Sequence, residues 1–136
     1  MPLSIKLITI TSTGSWGPRD DYQISLVLQE NTYVLRGKII RVDFSSPNKR
    51  ISRKSVRVTR EWADGILNEL RKATIPLLPP EMMGCDGAFY SMSVGSIFGG
   101  ATYKWWCEPP KGWEVLPKVA GQIITKFLEP CYPMFC

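Results

Sequence analysis

Over residues 22–29, Tyr22, Ile24, Leu26 and Leu28 recur at every second position, a period that turns one face of a strand toward a core. The β-branched run from Ile5 to Thr11 predicts a strand before it. A long strand is expected from Tyr33 to Phe44, where Ile40, Val42 and Phe44 alternate with Ile39, Arg41 and Asp43 and where Gly37 suggests a bulge. A fourth runs from Ile51 to Val58, with Val56 and Val58 inward and Arg57 outward. Between these segments, the Gly- and Pro-punctuated stretch 13–21 reads as a loop. Glu30-Asn31 reads as a tight turn and the Ser-Ser-Pro-Asn run at 45–48 as another.

At Thr59 the period changes. Trp62, Ile66 and Leu70 are spaced by four, and Ala63 and Leu67 widen the stripe, which predicts a helix packed on the sheet face that carries Val56 and Val58. Thr59 is placed to cap it, and Glu61 to meet the positive end of its dipole. Pro76, Pro79 and Pro80 end it, leaving 75–83 as an apolar crossing segment. Asp86-Gly87 introduces a hairpin of two strands, Phe89–Val94 and Thr102–Cys107, with Gly95, Gly99 and Gly100 in the connecting loop. A last helix is expected over 113–128, with Trp113, Leu116, Ala120, Ile123 and Phe127 as its apolar stripe and Pro117 in the first turn. The order β-β-β-β-α-β-β-α defines an α+β fold, an antiparallel sheet with two helices packed on it. The 136 residues fit one domain, 1–136, with 129–136 as a C-terminal tail.

Charge adds a feature that hydropathy does not show. Residues 1–60 hold 11 Lys and Arg against 4 Asp and Glu, whereas 61–136 hold 6 against 8. Between Arg36 and Arg60 there are nine cations and one acid, Asp43, a block whose summed field attracts anionic partners. Arg41, Arg53 and Arg57 are expected to line one surface, extended by Lys49 and Arg50 near the turn. Single-strand nucleic-acid binders interleave such cations with exposed aromatics, and here Tyr33 and Phe44 only flank the block. The block reads first as a solvated strand face; as a binding surface, an acidic protein partner is the first expectation and nucleic acid the second.

There is no histidine in the chain, which removes Ser-His-Asp triads, Cys-His dyads and His-ligated metals. Catalysis would fall to other groups, with Asp86 and Glu108 as the carboxylate candidates for a small enzyme. The four cysteines, Cys85, Cys107, Cys131 and Cys136, form no Cys-x-x-Cys pair, so neither metal nor cofactor is expected. Free thiols are expected in a reducing compartment, with Cys85–Cys107 and Cys131–Cys136 as the alternative bridges. No run approaches the ~20 apolar residues of a membrane span, and no signal-peptide pattern is seen, so a cytoplasmic location is expected. Trp105 and Trp106 are neighbours on one strand and point to opposite faces: one enters the core, and the other is a candidate anchor for a partner.

The series Asp-Gly-x-x-Tyr at 86–90, Tyr-x-Trp-Trp at 103–106 and Pro-x-Gly-Trp at 110–113 resembles a pattern in small uncharacterised bacterial proteins, some of them similar to immunity proteins of toxin systems. The resemblance covers roughly residues 86–128. It implies a hairpin, a Pro-Pro turn and a helix start, and it carries no catalytic residues. It implies a fold more than an activity; the function expected from the chain as a whole is a non-enzymatic, bacterial-type binding or inhibitor protein, with a small carboxylate-dependent enzyme as the alternative. The basic charge argues against a nuclease as its target, since nuclease inhibitors commonly mimic an acidic substrate.

Overall fold

The computed structural model describes residues 4–14, 19–43, 50–77, 88–96, 99–106 and 108–129. Six strands and two helices follow in the order β1 (Ser4–Thr13), β2 (Arg19–Gln29), β3 (Thr32–Val42), β4 (Arg50–Val58), α1 (Arg60–Lys72), β5 (Phe89–Ser96), β6 (Gly99–Trp106) and α2 (Val115–Leu128). All neighbouring strands are antiparallel, in the sheet order β4-β3-β2-β1-β5-β6. The fold is α+β as the residue pattern predicts.

The turn between β2 and β3 sets the register of the first hairpin. Glu30 and Asn31 have φ of 49° and 66°, the pair of positive angles that a type I′ turn requires and that matches the twist of the strands it joins. Leu28 then faces Tyr33, Leu26 faces Leu35 and Ile24 faces Gly37. Directly opposed residues share a face. Continued across the sheet, this register gathers Ile8 and Ile10 of β1, Ile24 and Leu26 of β2, Leu35 of β3, Val58 of β4, Met92 of β5 and Trp105 of β6 on one side, all buried.

Both helices cover that side. Thr59 caps α1 by accepting a hydrogen bond from the Trp62 backbone N–H at 3.1 Å, and Ala63 and Ile66 are buried beneath the helix. In α2, Leu116, Val119, Ala120, Ile123 and Phe127 repeat at helical spacing and are all buried. Trp113 stands before α2 rather than within it. Its indole N–H donates to the Pro76 carbonyl at 3.2 Å, and its ring meets Tyr103 edge-on at 5.5 Å, tying the segment after α1 to β6. Pro117 falls in the first turn of α2, where its missing N–H would have no helical partner.

Three local expectations change. Gly37 is not a bulge: β3 keeps register with β2 and β4 straight through it. The glycine allows close approach instead, since a Cβ there would lie 2.4 Å from the Gln23 carbonyl oxygen. The register irregularity falls in β1 between Lys6 and Ile8. Gly95, Gly99 and Gly100, expected in a loop, belong to β5 and β6, where a Cβ on Gly95 would meet the Gly99 carbonyl oxygen at 2.3 Å. Strand β2 begins at Arg19, earlier than its apolar alternation: Arg19, Asp20 and Asp21 pair with Val42, Arg41 and Ile40 of β3, and Asp21 accepts hydrogen bonds from the Gly14 N–H at 2.9 Å and the Arg19 guanidinium at 3.1 Å. The turn at 45–48, the four cysteines and the tail from 130 lie outside the described residues.

Across the helix pair, Lys118 of α2 is bonded to Glu69 of α1. That hydrogen bond, reinforced by the lysine charge, holds the Glu69 carboxyl below its ordinary value near 4.5. The bridge is open to solvent and its contribution is screened. A depressed carboxylate contributes stability that is present above pH 4.5 and lost as pH falls through its folded value. Thermal melts of wild type and Glu69→Gln should therefore differ slightly at neutral pH and converge below pH 4.5; a gap that widens with acid would contradict this bridge.

The packing of α1 sets a second expectation. Ile66 is 4% exposed, whereas Leu70 is only partly buried. Ile66→Ala should cost about 2–4 kcal/mol in a urea melt and Leu70→Ala about half as much. Equal losses would mean that α1 is rotated about its axis.

Candidate functional site

The second face of the sheet carries no described helix. Its register rows alternate with those of the core face, so parity alone assigns its side chains. One row runs Ser55, Arg36, Ser25, Thr9, Ser93, Thr102 from β4 to β6. The next runs Arg53, Lys38, Gln23, Thr11, Ser91, Lys104. The hydroxyls pair with one another: Thr9 with Ser25 at 2.9 Å, Ser93 with Thr102 at 2.9 Å, and Thr11 with Ser91.

The same parity sorts the basic block. Arg36, Lys38, Arg53 and Arg57 project from the open face, joined there by Lys6 of β1, Arg19 of β2 and Lys104 of β6. Among the described strand residues, these seven cations face one carboxylate, Asp21, which is held by Arg19. Arg36 donates to the Gln29 side chain at 2.8 Å. Among the described residues no carboxylate pairs with Lys6, Lys38, Arg53, Arg57 or Lys104.

Other members of the block serve the opposite side. Arg41 does not share a surface with Arg53 and Arg57. Register sets it against Arg50, so both lie on the pleat of the core face, and Arg41 pairs with Asp20 at 3.2 Å. The odd numbers of 41, 53 and 57 mislead because the turn between β3 and β4 reverses the parity. Lys54 also points to the helix side, with its ammonium 5.5 Å from the centre of the Phe127 ring and donating to the Glu129 carbonyl. Arg60 donates to the Asn31 carbonyl at 2.9 Å and lies over the Tyr33 ring. Lys49 lies outside the described residues.

A cavity of about 490 Å³ opens on the basic half of the face, lined by Lys6, Gln23, Ser25, Arg36, Lys38 and Arg53 among others. At the far end of the face, Trp106 packs on Phe89 with ring centres 5.5 Å apart and remains 37% exposed. Its neighbour Trp105 enters the core, 3% exposed and stacked on Tyr90 at 5.7 Å; its indole N–H has no hydrogen-bond partner among the described residues.

Of the predicted site residues, Arg53, Arg57 and Trp106 thus come to one face, while Arg41, Arg50 and Trp105 lie on the other. Lys6, Arg19, Arg36, Lys38 and Lys104 complete the charged face and were not singled out from sequence as site residues. The signal was there in the period-2 spacing of Arg36 with Lys38 and of Thr9 with Thr11, but only register shows which strands add to which row.

Glu108 is exposed and joined to Trp106 by an isolated bridge; Asp86, its proposed catalytic companion, lies outside the described residues. Among the described residues no group of three or more Cys, Asp or Glu is arranged to hold a metal ion. No described helix is long and apolar enough to cross a membrane. Comparison of the chain with family models, with curated proteins and with solved structures finds no match.

The two adjacent tryptophans make the face assignment testable. Trp105→Ala should cost about 3–5 kcal/mol of stability, and Trp106→Ala about 1 kcal/mol or less. Chemical denaturation of the two variants checks this, and a reversed ranking would exchange the two faces of β6.

Proposed function

We propose that this protein is a non-catalytic protein-binding domain that docks an acidic partner on the open, cationic face of its sheet. One observation carries the reading: among the described strand residues, seven cations face a single carboxylate on the side of the sheet that no described helix covers, and most of them have no acidic partner among the described residues. Like charges gathered without compensation cost stability, and an oppositely charged surface offsets that cost on contact. Trp106 and Phe89 supply an apolar anchor at the far end of the same face, and tryptophan is enriched where interfaces concentrate their binding energy. The finer reading, an inhibitor of the immunity type in a bacterial cytoplasm, rests on the resemblance over roughly 86–128 and on the absence from the sequence of a membrane-spanning run.

Nucleic acid is the competing occupant. An aromatic pair does share the cationic face, but it sits across β2, β1 and β5 from the densest charge, with hydroxyl rows rather than stacking platforms between. Stacked single strands use aromatics interleaved with the cations.

The test is the double reversal Arg36→Glu with Arg57→Glu. It should leave the thermal melt close to wild type and abolish capture of one acidic protein from an extract of the source organism. With that protein purified, association should slow at least tenfold on reversal, and the wild-type rate should fall steeply with added salt, because exposed charges are screened beyond ~8 Å at physiological ionic strength. An unchanged association rate across the salt series would make the face a solvated surface. Micromolar retention of random-sequence single-stranded DNA at physiological salt, lost on the same reversal, would replace the protein partner with nucleic acid.

A further inference from the structure

Lys38 and Arg53 stand directly opposite one another on β3 and β4, on the open face. Like charges in directly opposed positions of an antiparallel pair are destabilising. The sheet holds a second such pair for comparison. Arg41 and Arg50 are also opposed, but on the other face, where the Asp20 carboxylate reaches Arg41 at 3.2 Å. The fold thus supplies a counter-charge to one of its two opposed cation pairs. For the Lys38–Arg53 pair the described residues supply none, and Lys6 and Arg36 add further positive charge at the same cavity.

The geometry points to a binding site for a phosphomonoester in this cavity, occupied by a phosphorylated side chain of the partner; this rests on the open face being the docking face. A carboxylate brings one charge. A phosphomonoester brings about −1.5 to −2 at pH 7 and three strong acceptor oxygens. Lys38 and Arg53 can grip those oxygens from the two strands, the guanidinium through two parallel N–H groups. Lys6 and Arg36 close the ring of charge, and Gln23 and Ser25 add neutral donors on the β2 side. The volume of about 490 Å³ falls in the ordinary range for small-ligand sites, roughly 300–1,000 Å³, and exceeds what a phosphate group alone fills. The occupant therefore carries an organic body behind its phosphate, as a phosphoserine in a loop does.

The experiment is thermal unfolding of the whole chain in a phosphate-free buffer, titrated with inorganic phosphate, O-phosphoserine, a phosphoserine-containing peptide, serine, and chloride at matched ionic strength. Phosphate and the phosphoserine compounds should raise the midpoint saturably, while serine and chloride should not. At ten times its dissociation constant a ligand shifts the unfolding equilibrium about elevenfold, a rise of a few degrees for a domain of this size. The phosphoserine peptide should bind at least tenfold more tightly than inorganic phosphate. Arg53→Glu should abolish the shift and melt no lower than wild type without phosphate, because it turns a repelling cross-strand pair into an attracting one. Lys38→Ala, which removes the repulsion without adding a charge, should abolish the shift as well. Equal shifts in chloride and phosphate would overturn the site, as would a phosphate shift that survives both substitutions. A mononucleotide that binds more tightly than the phosphoserine peptide would overturn the phosphoprotein source. Capture of an acidic protein through Arg36 and Arg57, with phosphate leaving the melt unmoved, overturns this site and leaves the docking face standing. A saturable phosphate shift without such capture overturns the docking face and the phosphoprotein source with it, and leaves the phosphate site standing.

Discussion

The turn at Glu30-Asn31 fixes the register of β2 against β3, and almost every other feature follows from that pairing. A strand repeats every two residues, so a slip of one position would send Ile24, Leu26 and Leu28 to solvent and Gln23 and Ser25 under the helices. With the register as it is, most apolar residues of the strands meet the helices, and the open face is mainly polar, with Val27, Val34, Ile40, Val42 and Ile51 among its apolar members. The irregularity at Leu7 keeps this sorting intact along β1: Ile5 and Ile8, three positions apart, fall on the same side of the sheet. The helices then have a single face available. Phe127 and Ile123 of α2 and Ile66 of α1 lie over it fully or almost fully buried.

The pleat sorts charge as strictly as it sorts hydrophobicity. Consecutive residues of β4 illustrate it: Arg53 faces the open side, whereas Lys54 extends toward α2, where its stem and ammonium cover Phe127. Two adjacent cations of one basic run thus have unrelated tasks. One seals the end of the core, and its loss would be felt as packing as much as charge. The other adds to a field that no described carboxylate balances. A basic segment in a linear chain is therefore a poor guide to a basic surface until its neighbours across the sheet are known.

The elements themselves were legible because each carried a local signature: alternation in the strands, four-residue spacing in α1, Thr59 at its start and proline beyond its end. The split of Trp105 from Trp106 was legible too, since adjacent strand residues must diverge. What could not be read was long-range pairing. Nothing local shows that β1 lies between β2 and β5, so the hydroxyls of Ser25, Thr9, Ser93 and Thr102 could not be joined into one row. The same gap placed Arg41 with Arg53, because the parity change between β3 and β4 depends on how many residues the turn takes up. Gly37 was misjudged for a related reason: its absent side chain serves the neighbouring strand β2, not the course of its own.

Strand β4 lies at the rim of the sheet, with one row of backbone groups turned away from β3. Unpaired rims invite another strand, and two copies of one chain are the nearest source of such a strand. Along this rim, however, Arg50, Arg53, Lys54 and Arg57 would meet their own counterparts in a second molecule. Their like charges disfavour such self-addition along β4. At the other rim, β6 opens with two glycines and carries Lys104 as its lone charge. The two rims of the described sheet are thus unlike, with four cations along β4 and one along β6, and crowding tests them unequally.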